Sequence, residues 1–356
     1  MSTERIQVSI VVACRNEISH IRGFLDSILA QEMTGIAWEA IIADGMSDDG
    51  TRAVLAEYST RYPQLRVVDN PKQIVSTGLN AGIRAARGTI IIRMDAHTVY
   101  APNYCRMCME TLKRTAADNV GGPARTMPRG LRARAMAAAF HSRFSTGGAR
   151  FHDVKYEGWV DTVPYGCWRK ATLEGIGLFD EELVRNQDDE LNLRLVRAGG
   201  RIWQSPAIVS WYSPRSTLST LFRQYFQYGF WKVAVIRKHR LPASWRHAIP
   251  VLFILANALL LGVAAALLAM RVYPWGTTAA ALWLALIFSY TGATLCASLF
   301  TAARLEWAIL PYLPVVFAAY HFSYGLGFLA GLIRFVCTRG DAFAQVSNTA
   351  YTRVTR

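Results

Sequence analysis

No glycine-rich phosphate loop follows the first apolar run, which ends instead in Arg15-Asn16-Glu17, and no lysine-bearing Walker loop occurs anywhere. A dinucleotide site needs such glycines so that a pyrophosphate can approach the backbone, which disfavours NAD enzymes and P-loop nucleotide hydrolases. Cysteine is scarce: the six are scattered, and Cys105 with Cys108 forms the only C-x-x-C pair. With no two further ligands at suitable spacing, that pair argues against zinc and for reduced thiols in a cytosolic setting. The net charge of +14 comes without a zinc finger, a recognition helix or an aromatic-basic RNA signature. Nucleic acid is therefore not the expected partner, and anionic lipid headgroups plus a diphosphate-bearing ligand account for the charge. A chain that is 52% apolar and 18% charged is not disordered. No basic-then-apolar leader precedes the first strand-like stretch, so the N-terminal segment is expected to stay in the cytosol.

Acidic residues all but vanish in the last third. Residues 248–356 hold 2 acidic and 6 basic side chains, whereas 1–247 hold 23 and 33. Apolar runs at about 248–270, 277–303 and 308–333 exceed the roughly 20 residues that cross a bilayer core, and their apolar side chains cover every face rather than a stripe. They read as three membrane helices. A basic N-terminal segment inside the cell satisfies the positive-inside rule, but three spans would place Arg334, Arg339, Arg353 and Arg356 outside. One run is therefore a contender for a re-entrant or interfacial position. Residues 216–240 mix Leu, Phe, Tyr and Trp with Arg and Lys, as an interfacial amphipathic helix does. The expected organisation is a cytosolic α/β domain over 1–213, interfacial helices over 214–247, a membrane region over 248–340 and a polar tail over 341–356.

Val8–Ala13, Trp38–Ala43, Leu65–Val68 and Thr89–Met94 read as strands with helical patterns between them, including an amphipathic helix over 17–31. Such alternation predicts a mainly parallel α/β sheet. Further on, Val160–Tyr165 and segments near 201–211 are strand-like, with a helix near 188–198. Ligands of open parallel sheets bind beyond the carboxyl ends of the strands, where Glu17, Asp44 and Asp95 fall. Carboxylates there suit a nucleotide base and ribose, with Mg²⁺ or Mn²⁺ bridging a diphosphate near Asp95; His97 adds an imidazole, which Mn²⁺ accepts better than Mg²⁺. Asp188 and Asp189 open a helix, where they serve either as N-terminal capping groups or as a general base. Arg223–Lys232 reads as a membrane belt that also offers Trp231 as an acceptor platform and Lys232 or Arg223 beside a leaving diphosphate. The Arg-rich stretch 129–155, interspersed with Phe140, Phe144 and Phe151, is either an acceptor loop or a headgroup-facing surface.

In this order, Val11-Val-Ala-Cys-Arg-Asn-Glu17, Ala43-Asp-Gly-Met-Ser-Asp-Asp-Gly-Thr51, Gly78-Leu-Asn-Ala-Gly82, Arg93-Met-Asp-Ala-His97, Gln187-Asp-Asp-Glu190 and Gln227-Tyr-Gly-Phe-Trp-Lys232 resemble glycosyltransferase family 2. These are inverting enzymes of GT-A fold, and the likeness is strongest to the succinoglycan-type, ExoA-like bacterial glucosyltransferases; it covers about 6–340. The resemblance implies that Ala13, Arg15, Glu17, Asp44, Asn80, Arg93, Asp95 and Lys232 face a UDP-sugar, with Asp48 or Asp49 ordering a loop. It implies that Asp95 and His97 hold Mn²⁺ or Mg²⁺, that Asp188 is the catalytic base, and that Asp189, Glu190 and Trp231 support the acceptor. Three positions depart from the family pattern: His97 replaces an aspartate, Gln187 a glutamate, and Gly229-Phe-Trp lacks the arginine before tryptophan. The last, with a short membrane tail, favours single-sugar addition over processive polymerisation. The implied activity is transfer of a hexose, glucose foremost, to a polyprenyl-diphosphate-linked sugar at the bacterial inner membrane, with membrane lipids as partners and a homo-oligomer allowed. A polyprenyl-phosphate glycosyltransferase and a non-catalytic UDP-binding subunit of a polysaccharide assembly complex are the alternatives.

Overall fold

The computed structural model describes residues 5–215, 217–240 and 247–337, of Cys337 the backbone only. The expected polar tail with Arg339, Arg353 and Arg356, and residues 241–246 of the interfacial segment, lie outside the described residues. The chain divides into two compact units, one of residues 1–127 with 149–213, the other of 128–148 with 214–356.

In the first unit the elements are β1 (Val8–Cys14), α1 (Ile21–Leu29), β2 (Trp38–Asp44), α2 (Thr51–Arg61), β3 (Leu65–Asp69), α3 (Val75–Ala85), β4 (Ile90–Met94), β5 (Thr98–Tyr100), α4 (Tyr104–Thr115) and β6 (Asn119–Gly121). The second unit then claims α5 (Leu131–Phe140) and α6 (Arg143–Thr146). Back in the first unit follow β7 (Gly158–Val160), β8 (Cys167–Arg169), α7 (Lys170–Gly175), α8 (Gln187–Arg197), β9 (Ile202–Gln204) and β10 (Ser210–Tyr212). Eight strands form one sheet in the order β3-β2-β1-β4-β8-β6-β9-β7, and β10 pairs with β5 separately. The first four are parallel; β8 enters antiparallel between β4 and β6.

The central strands are apolar on both faces, as a sheet covered by helices on both sides requires. Val8, Ile10 and Val12 meet Ile21, Phe24, Leu25 and Ile28 of α1 and the buried face of α4, whereas Val11 and Ile41 meet Leu79 and Ile83 of α3. Each such side chain contributes about 1.5–3 kcal/mol by leaving water. Gly82 lets α3 press against β1, since a Cβ there would lie 2.5 Å from Val11 Cγ1. Cys105 and Cys108 are fully buried core residues, and burial pushes the Cys105 thiol well above its usual range; both act as small apolar side chains.

Two expected elements differ. The helix expected from 17 begins at Ile21, because the backbone amides of Asn16, Glu17 and Ile18 donate to side chains of Ser47, Thr51 and Asp49 rather than into a helix. The strand expected over Val160–Tyr165 ends at Val160, and the chain turns through Pro164 and a left-handed Tyr165 (φ 60°) before β8.

The second unit adds α9 (Leu218–His239), α10 (Ile249–Ala269), α11 (Tyr273–Arg304) and α12 (Leu313–Leu332, apolar on to Val336) to α5 and α6. Three of these, α10, α11 and α12, are long and apolar enough to cross a membrane. The alanine-rich face of α5 packs on Leu313, Val316, Phe317 and Tyr320 of α12. Gly229 of α9 and Gly327 and Gly331 of α12 bring those two helices into near backbone contact.

Candidate active site

Parallel strands deliver their carboxyl ends to one edge. Cys14 is in register with Asp44, and Asp44 with Asp69. Asp44 is closed off from solvent: it accepts from the Ser47 amide (3.1 Å), the Ser47 hydroxyl (2.5 Å) and Arg52 (3.0 Å), which continues to Asp69 (2.9 Å). Asp49, rather than Asp48, braces the neighbouring loop. Its carboxylate accepts from the amide and hydroxyl of Thr51 and the amide of Ile18. Burial would raise its pKa, but these bonds hold it below the usual range. Asp48 contributes its backbone amide to Asn16 (2.9 Å).

Ala13 and Arg15 lie where β1 ends. The Arg15 stem covers Gly45, and its buried Nε has no hydrogen-bond partner among the described residues. Glu17, almost fully buried, has Oε1 3.7 Å from His97 Nδ1 and Oε2 3.4 Å from His20 Nδ1.

Arg93 joins the two ends of the site. It sits on β4 with its side chain 5% exposed, forming a short ion pair with Asp188 and reaching Asp95 Oδ1 at 3.2 Å. The Tyr165 and Phe179 rings flank the guanidinium at 6.0 and 5.9 Å. Burial opposes its charge, but the Asp188 and Asp95 carboxylates outweigh that and raise its pKa, so the arginine stays charged. Asp188 occupies the first turn of α8, after a left-handed Asn186 (φ 62°). Desolvation pushes its pKa upward, Arg93 opposes this, and repulsion from Asp95 and Asp189 adds to it. With 36% of its side-chain surface open, it is a carboxylate of raised basicity that a hydroxyl can approach.

The Asp95 amide donates to the Tyr100 hydroxyl (2.7 Å). Burial raises the pKa of both Tyr100 and Tyr165, so both rings remain protonated apolar walls. His97 is 43% exposed, edge-on to Tyr212. Among the described residues no three His, Cys, Asp or Glu side chains form a ready metal cage. A carboxylate and an imidazole two residues apart, Asp95 and His97, would offer Mn²⁺ or Mg²⁺ part of a ligand set, the rest coming from a bound ligand and water.

Other expected site residues hold the scaffold instead. Asn80 is 1% exposed, and its amide is engaged at both ends: Nδ2 donates to the Phe179 carbonyl (2.8 Å) and Glu181 (3.1 Å), and Oδ1 accepts from the Phe179 amide (2.9 Å). It braces the segment leading to α8. Glu190 is likewise buried, held by Arg194 at 2.5 and 2.8 Å, while Arg194 also donates to the carbonyls of Ile176 and Leu178. An acceptor does not reach it; Asp189, partly exposed beside it, stays at the surface. Trp231 and Lys232 belong to the second unit. Trp231 is 1% exposed, packed against Phe230 and Phe335, and this leaves no open ring face for a sugar; Lys232 is also buried. The spacing of Glu190 and Arg194 carried a legible pairing signal, whereas nothing local marked Tyr100, Tyr165 or Phe179 as walls of the site.

Residues 9–169 match the family model described as glycosyl transferase family 2. The succinoglycan biosynthesis protein ExoA of Rhizobium meliloti is 33% identical over 244 residues, 68% of this chain and 74% of that protein. A dolichyl N-acetyl-alpha-D-glucosaminyl phosphate 3-beta-D-2,3-diacetamido-2,3-dideoxy-beta-D-glucuronosyltransferase of Methanococcus voltae is 26% identical over 92% of this chain and 97% of its own length. Among solved structures, the mannosyltransferase PcManGT of Pyrobaculum calidifontis, in complex with GDP-Man and Mn²⁺, superposes with a TM-score of 0.56 at 20% identity, covering 92% of this chain and 88% of that one. An acid-lined parallel sheet edge, the ordered motifs and these relatives converge: the chain belongs to glycosyltransferase family 2 and has the GT-A fold.

Proposed function

We propose that the chain transfers a hexose, glucose foremost, from a UDP-sugar to a polyprenyl-diphosphate-linked sugar, with inversion, at the cytosolic face of the bacterial inner membrane. The observation that carries the reading is Arg93, which ties the base Asp188 to Asp95 through one buried guanidinium. The acceptor hydroxyl loses its proton to the Asp188 carboxylate as its oxygen bonds the anomeric carbon, and the bond from that carbon to the UDP oxygen breaks on the opposite face. Arg93 keeps Asp188 oriented and anionic until the proton arrives. Asp95 and His97 would hold Mn²⁺ or Mg²⁺, which when bound offsets charge on a leaving diphosphate. Arg15 Nε at the same strand edge, without a hydrogen-bond partner among the described residues, is a further donor suited to an anion. The relative named for a dolichyl phosphate-linked sugar supports a lipid-linked acceptor, and the one in succinoglycan biosynthesis supports a role in polysaccharide synthesis.

The test incubates purified protein and Mn²⁺ with labelled UDP-sugars, and with GDP-mannose as the rival donor, in membranes carrying a galactosyl-diphosphate lipid. Organic-extractable label from one UDP-hexose, lost by 10²-fold or more in Asp188→Asn while UDP binding persists, is the expected result. Full turnover in Asp188→Asn would remove Asp188 from the chemistry. Label on the lipid monophosphate itself would replace the proposed acceptor.

A further inference from the structure

The three apolar helices of the second unit are not equivalent. In α10 and α11, 11% of the most apolar window is buried, against 39% in α12. Phe253 stacks 4.6 Å from Tyr290, and Gly276 meets Leu268, so the whole of α10 lies beside the first two thirds of α11. At about 1.5 Å per residue, the 21 residues of α10 match one bilayer core of about 30 Å, but the 32 residues of α11 overshoot it by several turns. On that overhang Thr294, Ser298, Thr301 and Ala302 are buried, and Ala302 packs with α5 and α12.

From Tyr320 onward α12 runs side by side with α9. Tyr225 meets Tyr320, Gly229 meets Tyr324, and the backbone of Phe230 meets Gly331; Arg237 donates to the Phe335 carbonyl. Arg223, Arg237 and Lys238 of α9 are exposed, which puts cations near both ends of this partner helix. Toward its other end, α12 carries α5 and α6. Tyr320 donates to the Met136 carbonyl (3.1 Å), and His321 Nε2 lies 2.8 Å from the Phe144 carbonyl, which makes Nδ1 the acceptor for Tyr290 (3.0 Å). Arg129 and Arg132 are exposed on that segment. What α12 leaves uncovered is apolar: Val315 and Leu326 are 55% and 40% exposed and, 11 residues apart, return to one helical face, and just past its end Ile333 and Val336 are 67% and 62% exposed. A spanning helix at the rim of a bundle has no reason to be flanked by basic helices over its length. A helix lying in the interface, with one apolar face in the acyl layer and basic neighbours at headgroup level, has this pattern.

We propose that α10 and α11 alone cross the bilayer, and that α12 lies flat with α5 and α9 as a basic-rimmed platform on an anionic leaflet. The chain then crosses twice, and everything after α12 lies on the same side as α9, which also resolves the charge conflict of three spans.

Impermeant maleimide labelling of the full chain in spheroplasts tests this, with Arg271→Cys at the turn between α10 and α11 and, separately, a cysteine appended after Arg356; the unaltered chain supplies the background. The expected result is labelling of Arg271→Cys in intact spheroplasts and of the appended cysteine only after permeabilisation, a difference of tenfold or more. Equal labelling of both in intact spheroplasts means three crossings and overturns the proposal. So does labelling of Arg271→Cys only after permeabilisation, because the hairpin would then not cross.

Discussion

Replacing Arg93 by glutamine removes one charge from a site where two carboxylates depend on it. Arg93 is 5% exposed, Asp95 21% and Asp188 36%. Deleting one partner of a fully buried ion pair costs about 3–5 kcal/mol; with Asp188 a third open to water, screening lowers the expected loss to about 2–3 kcal/mol. The kinetic effect follows from the proton affinity of Asp188. Desolvation already raises it and Arg93 is the main opposing influence, so without the arginine the pKa climbs further. A base works in its ionised form, hence the acid limb of kcat/KM moves to higher pH in Arg93→Gln, and kcat falls about 10²-fold or more through lost orientation. The assay is sugar transfer from pH 5 to 9, alongside urea unfolding. A variant with the wild-type acid limb and wild-type kcat would show that Arg93 does not hold Asp188 during turnover.

Asn80→Ala removes three hydrogen bonds beneath the Phe179–Glu181 segment and should cost about 2–4 kcal/mol; kcat falls while donor KM holds, and a rise in donor KM alone would restore Asn80 as a nucleotide contact. Gly229→Ala places a Cβ 2.1 Å from the Tyr324 carbonyl oxygen, forcing α9 and α12 apart at a cost of about 1–3 kcal/mol; an unchanged melting temperature in detergent would disprove their close approach. Burial alone would raise the Glu39 pKa, but hydrogen bonds from Arg87, Arg66 and Ser9 lower it from 4.5 to about 2. That shift corresponds to about 3 kcal/mol of stability, fully present above pH 4.5 and lost as the pH falls toward 2. Wild type and Glu39→Gln should therefore converge in unfolding midpoint near pH 2, and a gap independent of pH would count against the pairing.

Much of this architecture was legible in the order of residues. Strands such as Val8–Cys14 are continuous apolar runs, and the acids that follow them mark a ligand edge because parallel strands end together. The place of Asp188 at the start of a helix was legible from the residues around it. The links between these pieces were not. Arg93 and Asp188 lie 95 residues apart, and no local pattern records which carboxylate a buried guanidinium meets. Trp231 and Asn80 carry residue types that suit a sugar or a base, and only their burial shows that packing and bracing claim them. The helix expected from 17 began late because long-range side chains captured its first amides. The basic segment 128–148 reads as a loop of the α/β domain by position, yet its alanines pack on a helix far along the chain.

That last feature has a consequence for synthesis. Around the excursion the first unit closes on itself, with the Ala124 amide donating to the Phe151 carbonyl at 2.8 Å. Helix α5 therefore leaves the ribosome with the first unit, whereas the face it packs on emerges roughly 170 residues later. At about 5–20 residues per second, that is a wait on the order of 10–30 s. A waiting surface of leucine or phenylalanine throughout would invite aggregation, but on this face Ala133, Ala135 and Ala137–Ala139 expose little apolar area beside the single Met136, and alanine favours the helix. The alanine composition of α5 fits the interval before its partner exists as closely as it fits the partner.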